Sequence, residues 1–130
     1  MLGIWSAHAA LFLQIFGAGV ILLFGLPMVL QPLTWARWLR WRIPEQTHLA
    51  IYFGRCLGAI ACVLGVMAWS AAAQPAVQPF FFNILAGSTG AMVLVHVWGA
   101  LRRIQPLTET LEIPFWLALC LLALAFYPAA

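Results

Sequence analysis

Residues 35–42 read Trp-Ala-Arg-Trp-Leu-Arg-Trp-Arg and hold three of the seven tryptophans and three of the six arginines in the chain. Long apolar runs lie on both sides, from Leu2 to Leu30 and from His48 to Ala73. Tryptophan rings at headgroup level and arginines reaching anionic phosphates are typical of a membrane–water interface. The segment 33–43 is therefore predicted to be an interfacial anchor formed by Trp35, Arg37, Trp38, Arg40, Trp41 and Arg42.

The composition indicates that lipid is the solvent for most of the chain. Of its 130 residues, 65% are hydrophobic and only 7% are charged. Soluble domains carry about 25% charged residues, so this chain cannot cover a surface exposed to water. The length allows one domain, predicted to be residues 1–130. Because the basic residues lie beside or within apolar segments, the net charge of +3 does not indicate a nucleic-acid partner.

Hydrophobic segments separated by short polar links predict an all-α integral membrane protein, an antiparallel bundle of four transmembrane helices. The predicted helices, numbered 1 to 4 in chain order, cover residues 4–30, 48–73, 80–103 and 110–127. Gly25 and Pro27 are expected to bend the inner end of helix 1. Pro114 is expected in the first turn of helix 4, where a missing N–H costs nothing.

The distribution of arginine predicts the orientation of the bundle. All six arginines lie in or near the loop between helices 1 and 2 and at the end of helix 3. The two termini and the link 74–79 carry none. The positive-inside bias therefore predicts that both termini are on the outer, periplasmic side of a bacterial cytoplasmic membrane.

The three cysteines, Cys56, Cys62 and Cys120, all fall inside apolar runs. A zinc site or disulfide framework needs several thiols presented together, usually with short spacing. The cysteines are therefore interpreted as small packing residues. An intramembrane redox role is an alternative that no other feature of the sequence supports.

Small residues form stripes on two of the predicted helices. In lipid, small side chains let two helix backbones approach closely and gain van der Waals contact. One interpretation is that the stripes pack helix 2 on helix 3 within the chain, and the other is that one stripe contacts a neighbouring subunit. The predicted helix-packing residues are Ala50, Gly54, Gly58 and Cys62 on helix 2, and Ala86 and Gly90 on helix 3, with Gly87 and Ala91 alongside.

A polar cluster is predicted at the cytoplasmic ends of helices 2, 3 and 4. An arginine in an apolar helix is costly unless it is paired or reaches the headgroups. Arg55 is therefore expected to pair with Glu109, Glu112 or a carbonyl, as a structural lock. Snorkelling to headgroups and a binding site for a quinone headgroup, an anion or protons are the alternatives. The members of the cluster are His48, Tyr52, Arg55, His96, Glu109 and Glu112.

No catalytic residue, metal site or resident cofactor is predicted, although bound lipid is expected. Imidazole is the usual axial ligand of haem, but His8 and His96 differ in predicted depth by roughly 15 Å at helical rise. That separation argues against a bis-histidine haem, as does the placement of His48 at the inner surface, and a single histidine ligating a pigment stays an alternative. No spacing matches the common metal, phosphate-binding or nucleophile motifs.

The Gly-Arg-Cys-Leu-Gly patch at 54–58 and the four short-looped helices resemble the small bacterial inner-membrane proteins grouped as DoxX-like. The resemblance covers the helix count and that patch. It implies a four-helix membrane fold and, for some members of the group, partnership with quinone-linked oxidoreductases. It implies no functional residue for this chain.

The first functional hypothesis is a non-catalytic accessory subunit of a larger inner-membrane complex of respiratory, photosynthetic or monooxygenase type, with lipids and other transmembrane subunits as partners. It rests on the small extramembrane mass, the lack of a catalytic motif and the small-residue stripes. The second is a small quinone- or redox-linked enzyme or binding protein that uses the polar cluster. A small multidrug transporter is disfavoured because such proteins need an intramembrane carboxylate, and here all three acids lie at the cytoplasmic edge.

Overall fold

The computed structural model describes residues 2–128, and within that range the chain forms helices and turns without any strand. Four helices are long and apolar enough to cross a membrane. This confirms the predicted all-α chain with four such segments, and it indicates a multi-pass membrane protein. The four long helices are helix 1 (Ser6–Leu30), helix 2 (His48–Ala72), helix 3 (Pro75–Arg102) and helix 4 (Leu107–Ala125).

Two helices begin earlier than the sequence predicts, and proline explains both differences. Helix 3 starts with a 3₁₀ turn at Pro75–Val77 and continues as an α-helix from Gln78. Pro79 is tolerated there because the first N–H groups of a helix have no partner within it. Helix 4 starts at Leu107, directly after Pro106, and is interrupted at Glu112 before it resumes as Ile113–Ala125.

Helix 1 contains a π-helical segment, Val20–Gly25, immediately before the proline expected to disturb it. Pro27 has no N–H, so it cannot donate to the carbonyl of Leu23, four residues earlier. The indole Nε1 of Trp35 donates to that carbonyl instead, at 3.0 Å. The predicted irregularity near Gly25 and Pro27 is thus a widened helical turn, and a side chain from the interfacial anchor satisfies the freed carbonyl.

The interfacial anchor is helical only in its first part, over Pro32–Trp38. Arg40 then takes a left-handed conformation with φ of 63°, which ends the helix. The Trp41 N–H donates to the Ala36 carbonyl at 3.0 Å. The segment 33–43 is therefore one short helix followed by a turn.

The described chain divides into two compact units: a central unit of residues 13–70 and a terminal unit of residues 2–12 with 71–128. In the central unit, the small-residue stripe of helix 2 lies against helix 1. A Cβ added at Gly58 would come within 2.7 Å of the Val29 nitrogen and 2.8 Å of the Gly25 carbonyl oxygen. A Cβ at Gly65 would meet the Gly17 carbonyl at 2.8 Å. Within the central unit, the glycines of helix 1 therefore provide the matching close approach to this stripe. Packing of helix 2 on helix 3 stays a prediction.

Aromatic rings pack together at one end of the terminal unit. Phe12 stacks on Phe126 with centroids 4.7 Å apart, and Phe82, which is fully buried, lies 5.9 Å from Phe12. The Gly3 N–H donates to the Leu124 carbonyl at 2.9 Å. Both ends of the described chain therefore meet at the same end of this unit, opposite the turn between helices 3 and 4.

Candidate functional site

Three of the six residues in the predicted polar cluster meet in the terminal unit. His96 of helix 3 is 4% exposed. Its Nε2 lies 3.1 Å from Glu109 Oε2 and 3.7 Å from Glu112 Oε2. One ligand atom from each residue lies within 4.8 Å of the others. This His96–Glu109–Glu112 triad joins helix 3 to helix 4 and is the candidate functional site.

The tautomer of His96 is fixed by its own helix. Its Nδ1 lies 2.7 Å from the carbonyl oxygen of Met92, one turn earlier. A carbonyl only accepts hydrogen bonds, so Nδ1 carries the hydrogen and donates it. In the neutral imidazole Nε2 then bears a lone pair, and it is this atom that faces the two carboxylates.

The interruption of helix 4 places the two carboxylates. Glu109 lies in the short opening helix Leu107–Leu111, and Glu112 is the residue between that helix and the next. The indole Nε1 of Trp116 donates to Glu112 Oε2 at 3.3 Å, and the Trp116 ring lies 5.8 Å from the His96 ring. Trp116 therefore orients one carboxylate and covers one side of the imidazole.

Gln105 holds the turn between helices 3 and 4. Its side-chain nitrogen donates to the His96 carbonyl at 3.0 Å and to the Thr110 hydroxyl at 3.2 Å. A Cβ at Gly99 would fall on the Gln105 side-chain amide. Glycine at position 99 thus lets Gln105 lie against helix 3, which fixes the start of helix 4 beneath His96.

The other half of the predicted cluster belongs to the central unit. His48, Tyr52 and Arg55 are exposed there. Arg55 lines a shallow pocket of about 250 Å³ together with Arg37 and Thr34. Association of these residues with the acidic side chains of the terminal unit stays a prediction, as do the lock, snorkelling and ligand-binding interpretations of Arg55.

The predicted packing residues on helix 2 fall into the central unit. A Cβ at Gly54 would meet the Pro32 ring at 2.6 Å, and a Cβ at Gly25 would meet Cys62 Sγ at 2.5 Å. Ala50 and Gly54 also line a second pocket of about 250 Å³, whose wall includes Trp35. Cys62 is therefore a packing partner for a glycine.

On helix 3 the two small-residue stripes have different surroundings. Cys120 of helix 4 donates its S–H to the Ala86 carbonyl at 3.6 Å, and a Cβ at Gly90 would lie 3.9 Å from the same sulfur. Gly87 has nothing within 4 Å of an added Cβ. We call the exposed residues at spacing of four, Asn83, Gly87 and Ala91, the outer stripe of helix 3.

The anchor residues serve different contacts. The Trp35 indole donates a hydrogen bond to the Leu23 carbonyl of helix 1. Trp41 and Arg42 line the second pocket. Trp38 is 70% exposed. The sequence assigned all of these residues to headgroups. Pro27 marks the Leu23 carbonyl as lacking its helical donor, but it does not indicate that Trp35 supplies the bond.

The fold and site together define a small, multi-pass helical membrane protein with a buried histidine facing two glutamates. No protein-family model matches the chain, and no curated protein or solved structure is significantly similar to it. The resemblance to DoxX-like proteins therefore stays an interpretation of the 54–58 patch and the helix count.

Sequence reasoning named His96, Glu109 and Glu112 but did not identify them as a set of possible metal ligands. The signal lay in Glu109-x-x-Glu112, since residues three apart share a helix face. The position of His96 opposite them could not be read from spacing, because it depends on the turn that Gln105 holds.

Proposed function

We propose that this chain is a non-catalytic accessory subunit of a larger bacterial inner-membrane complex, which it enters through the outer stripe of helix 3. Lipid tails are as apolar as leucine, so exposed apolar side chains alone do not drive helices together. Small residues permit close backbone approach, and an amide such as that of Asn83 can bond across helices. The observation that carries the proposal is that this stripe is left exposed while the stripes of helix 2 and of Ala86–Gly90 are used inside the chain.

We further propose an antiparallel bundle with both termini on the periplasmic side. The pairing of Gly17 with Gly65, and of Gly25 with Gly58, runs in opposite chain directions and supports the antiparallel order of helices 1 and 2. All six arginines lie in or near the loop between helices 1 and 2 and at the end of helix 3, away from the termini and the link 74–79. This distribution supports cytoplasmic placement of the arginine-bearing ends.

Gentle extraction from the native membrane, followed by purification through a tag, tests the accessory role. We expect the wild-type chain to co-purify with other membrane proteins in fixed ratio. Gly87→Leu places a large side chain on the outer stripe and is expected to reduce that co-purification at least about tenfold, equivalent to about 1.4 kcal/mol of contact energy.

The matched control is Gly19→Leu, a second glycine with open space around its Cβ but on helix 1. It should leave co-purification unchanged. A wild-type chain that purifies only as a lone monomer contradicts the proposal. Equal behaviour of the two variants contradicts the assignment of the contact to helix 3.

A further inference from the structure

We propose that His96, Glu109 and Glu112 form a binding site for a divalent transition-metal cation of the Zn²⁺ type, between helices 3 and 4. All three residues belong to the terminal unit, and the site they form does not depend on entry into a complex.

The facing atoms require a positive group among them. The Met92 carbonyl fixes the hydrogen of His96 on Nδ1, so the neutral ring presents an Nε2 lone pair. In front of that lone pair stand Glu109 Oε2 at 3.1 Å and Glu112 Oε2 at 3.7 Å. Three acceptor atoms at these distances repel one another unless a cation or a proton lies between them.

The separations suit a metal. Zinc bonds of about 2.0–2.2 Å in tetrahedral geometry put neighbouring ligand atoms roughly 3.3–3.6 Å apart. The two distances from Nε2 lie on either side of that range. All three ligand atoms lie within 4.8 Å of one another, so binding of the cation would draw the two carboxylate oxygens toward each other.

A divalent cation balances the formal charge of the three groups. With His96 neutral and both glutamates ionised, the three groups sum to −2. One proton on His96 leaves −1 among them, whereas a divalent cation brings the sum to zero. The negative charge lies on Glu109 and Glu112, whose side chains are 13% and 22% exposed.

The surrounding hydrogen bonds follow the pattern of metal sites. Metal-binding histidines usually donate their other N–H to a carbonyl or carboxylate, and ligating carboxylates are themselves hydrogen-bonded. Met92 takes the first role and Trp116 the second. The Glu112 side chain is 22% exposed, which leaves a side from which the cation can enter.

The donor set selects the class of metal. One imidazole nitrogen with two carboxylate oxygens, and no thiolate, suits Zn²⁺, Mn²⁺ or Fe²⁺ more than Cu⁺ or Ca²⁺. Three protein ligands leave a fourth position for water or a small ligand, as in zinc sites that are not purely structural.

Titration of the purified full-length protein with Zn²⁺, after removal of metal by a chelator, tests the site. We expect one Zn²⁺ per chain, with affinity lowered at least about tenfold in His96→Gln and in Glu112→Gln, since loss of outer hydrogen bonds alone already costs that much at known sites. The matched controls are His48→Gln and Glu45→Gln, which remove an exposed histidine and the remaining acidic residue. They should bind as the wild type does.

X-ray absorption of the Zn²⁺-loaded wild type keeps the test decisive if the triad variants do not fold. The expected spectrum has one shell of nitrogen and oxygen neighbours near 2.0–2.2 Å, the outer-shell scattering of an imidazole ring, and no sulfur. A sulfur neighbour, a spectrum without imidazole scattering, unchanged affinity in a folded His96→Gln or Glu112→Gln variant, or the absence of one-to-one binding would each overturn the proposal.

Discussion

At the scale of single residues, two glycines that both belong to small-residue stripes have opposite surroundings. Gly58 faces the backbone of helix 1, where an added Cβ would lie 2.7 Å from the Val29 nitrogen. Gly87 faces open space. Sequence reasoning treated both as members of packing stripes, because a small residue looks alike whether its neighbour is a helix or lipid. Whether a glycine is required at a position depends on how closely a neighbouring backbone approaches it.

Gly58→Ala is therefore expected to destabilise the chain, by about 1–3 kcal/mol, because the backbone atoms it meets cannot yield as a flexible side chain would. Gly87→Ala is the matched control and should leave stability unchanged or raise it by up to about 1 kcal/mol, through helix propensity. Unfolding of both purified variants in a denaturing detergent series measures the difference. Equal stability of the two would refute the packing of Gly58 against helix 1.

At the scale of elements, a hydrogen bond connects the interfacial anchor to helix 1. Pro27 removes the donor for the Leu23 carbonyl, helix 1 widens into a π-helical segment, and the Trp35 indole supplies the missing hydrogen bond. A backbone carbonyl left unsatisfied near lipid is costly, so the position of the interfacial helix is tied to a proline eight residues earlier in the chain. The sequence predicted the irregularity and the anchor separately but not the bond that joins them.

Trp35→Phe keeps the ring and removes the N–H donor. We expect it to lower the free energy of unfolding by about 1 kcal/mol, the usual worth of one hydrogen bond. Trp38→Phe, at a position 70% exposed, should change stability by less than about 0.5 kcal/mol, as is usual for surface positions. If both variants unfold alike, the bond to Leu23 does not hold the interfacial helix.

At the scale of the whole molecule, the placement of charge predicts how the chain lies in the membrane. The arginines are confined to residues 37–55 and to Arg102 and Arg103, and the two ends of the described chain meet at one end of the terminal unit. An even number of spans puts both termini on one side. We predict from the arginine bias that this side is the periplasm.

A C-terminal fusion to alkaline phosphatase, which is active only after export, is expected to be active, and the same fusion to a green fluorescent protein is expected to be dark. A phosphatase fused after Gln105, in the loop between helices 3 and 4, serves as the control and should be inactive. Fluorescence of the C-terminal fusion would show that the predicted orientation is reversed. It would not contradict the four-helix fold.

The sequence by itself determined the number of the apolar helices, and their predicted ends lie within five residues of those observed. Membrane insertion depends on mean hydropathy over about 20 residues, which is a local property, and Pro, Gly and Arg mark where each segment ends. Only the tertiary structure decided which faces meet. Helix 1 accepts the glycine stripe of helix 2, and His96 lies opposite Glu109 and Glu112, because these contacts depend on helix rotation and on the turn fixed by Gln105, which no local pattern encodes.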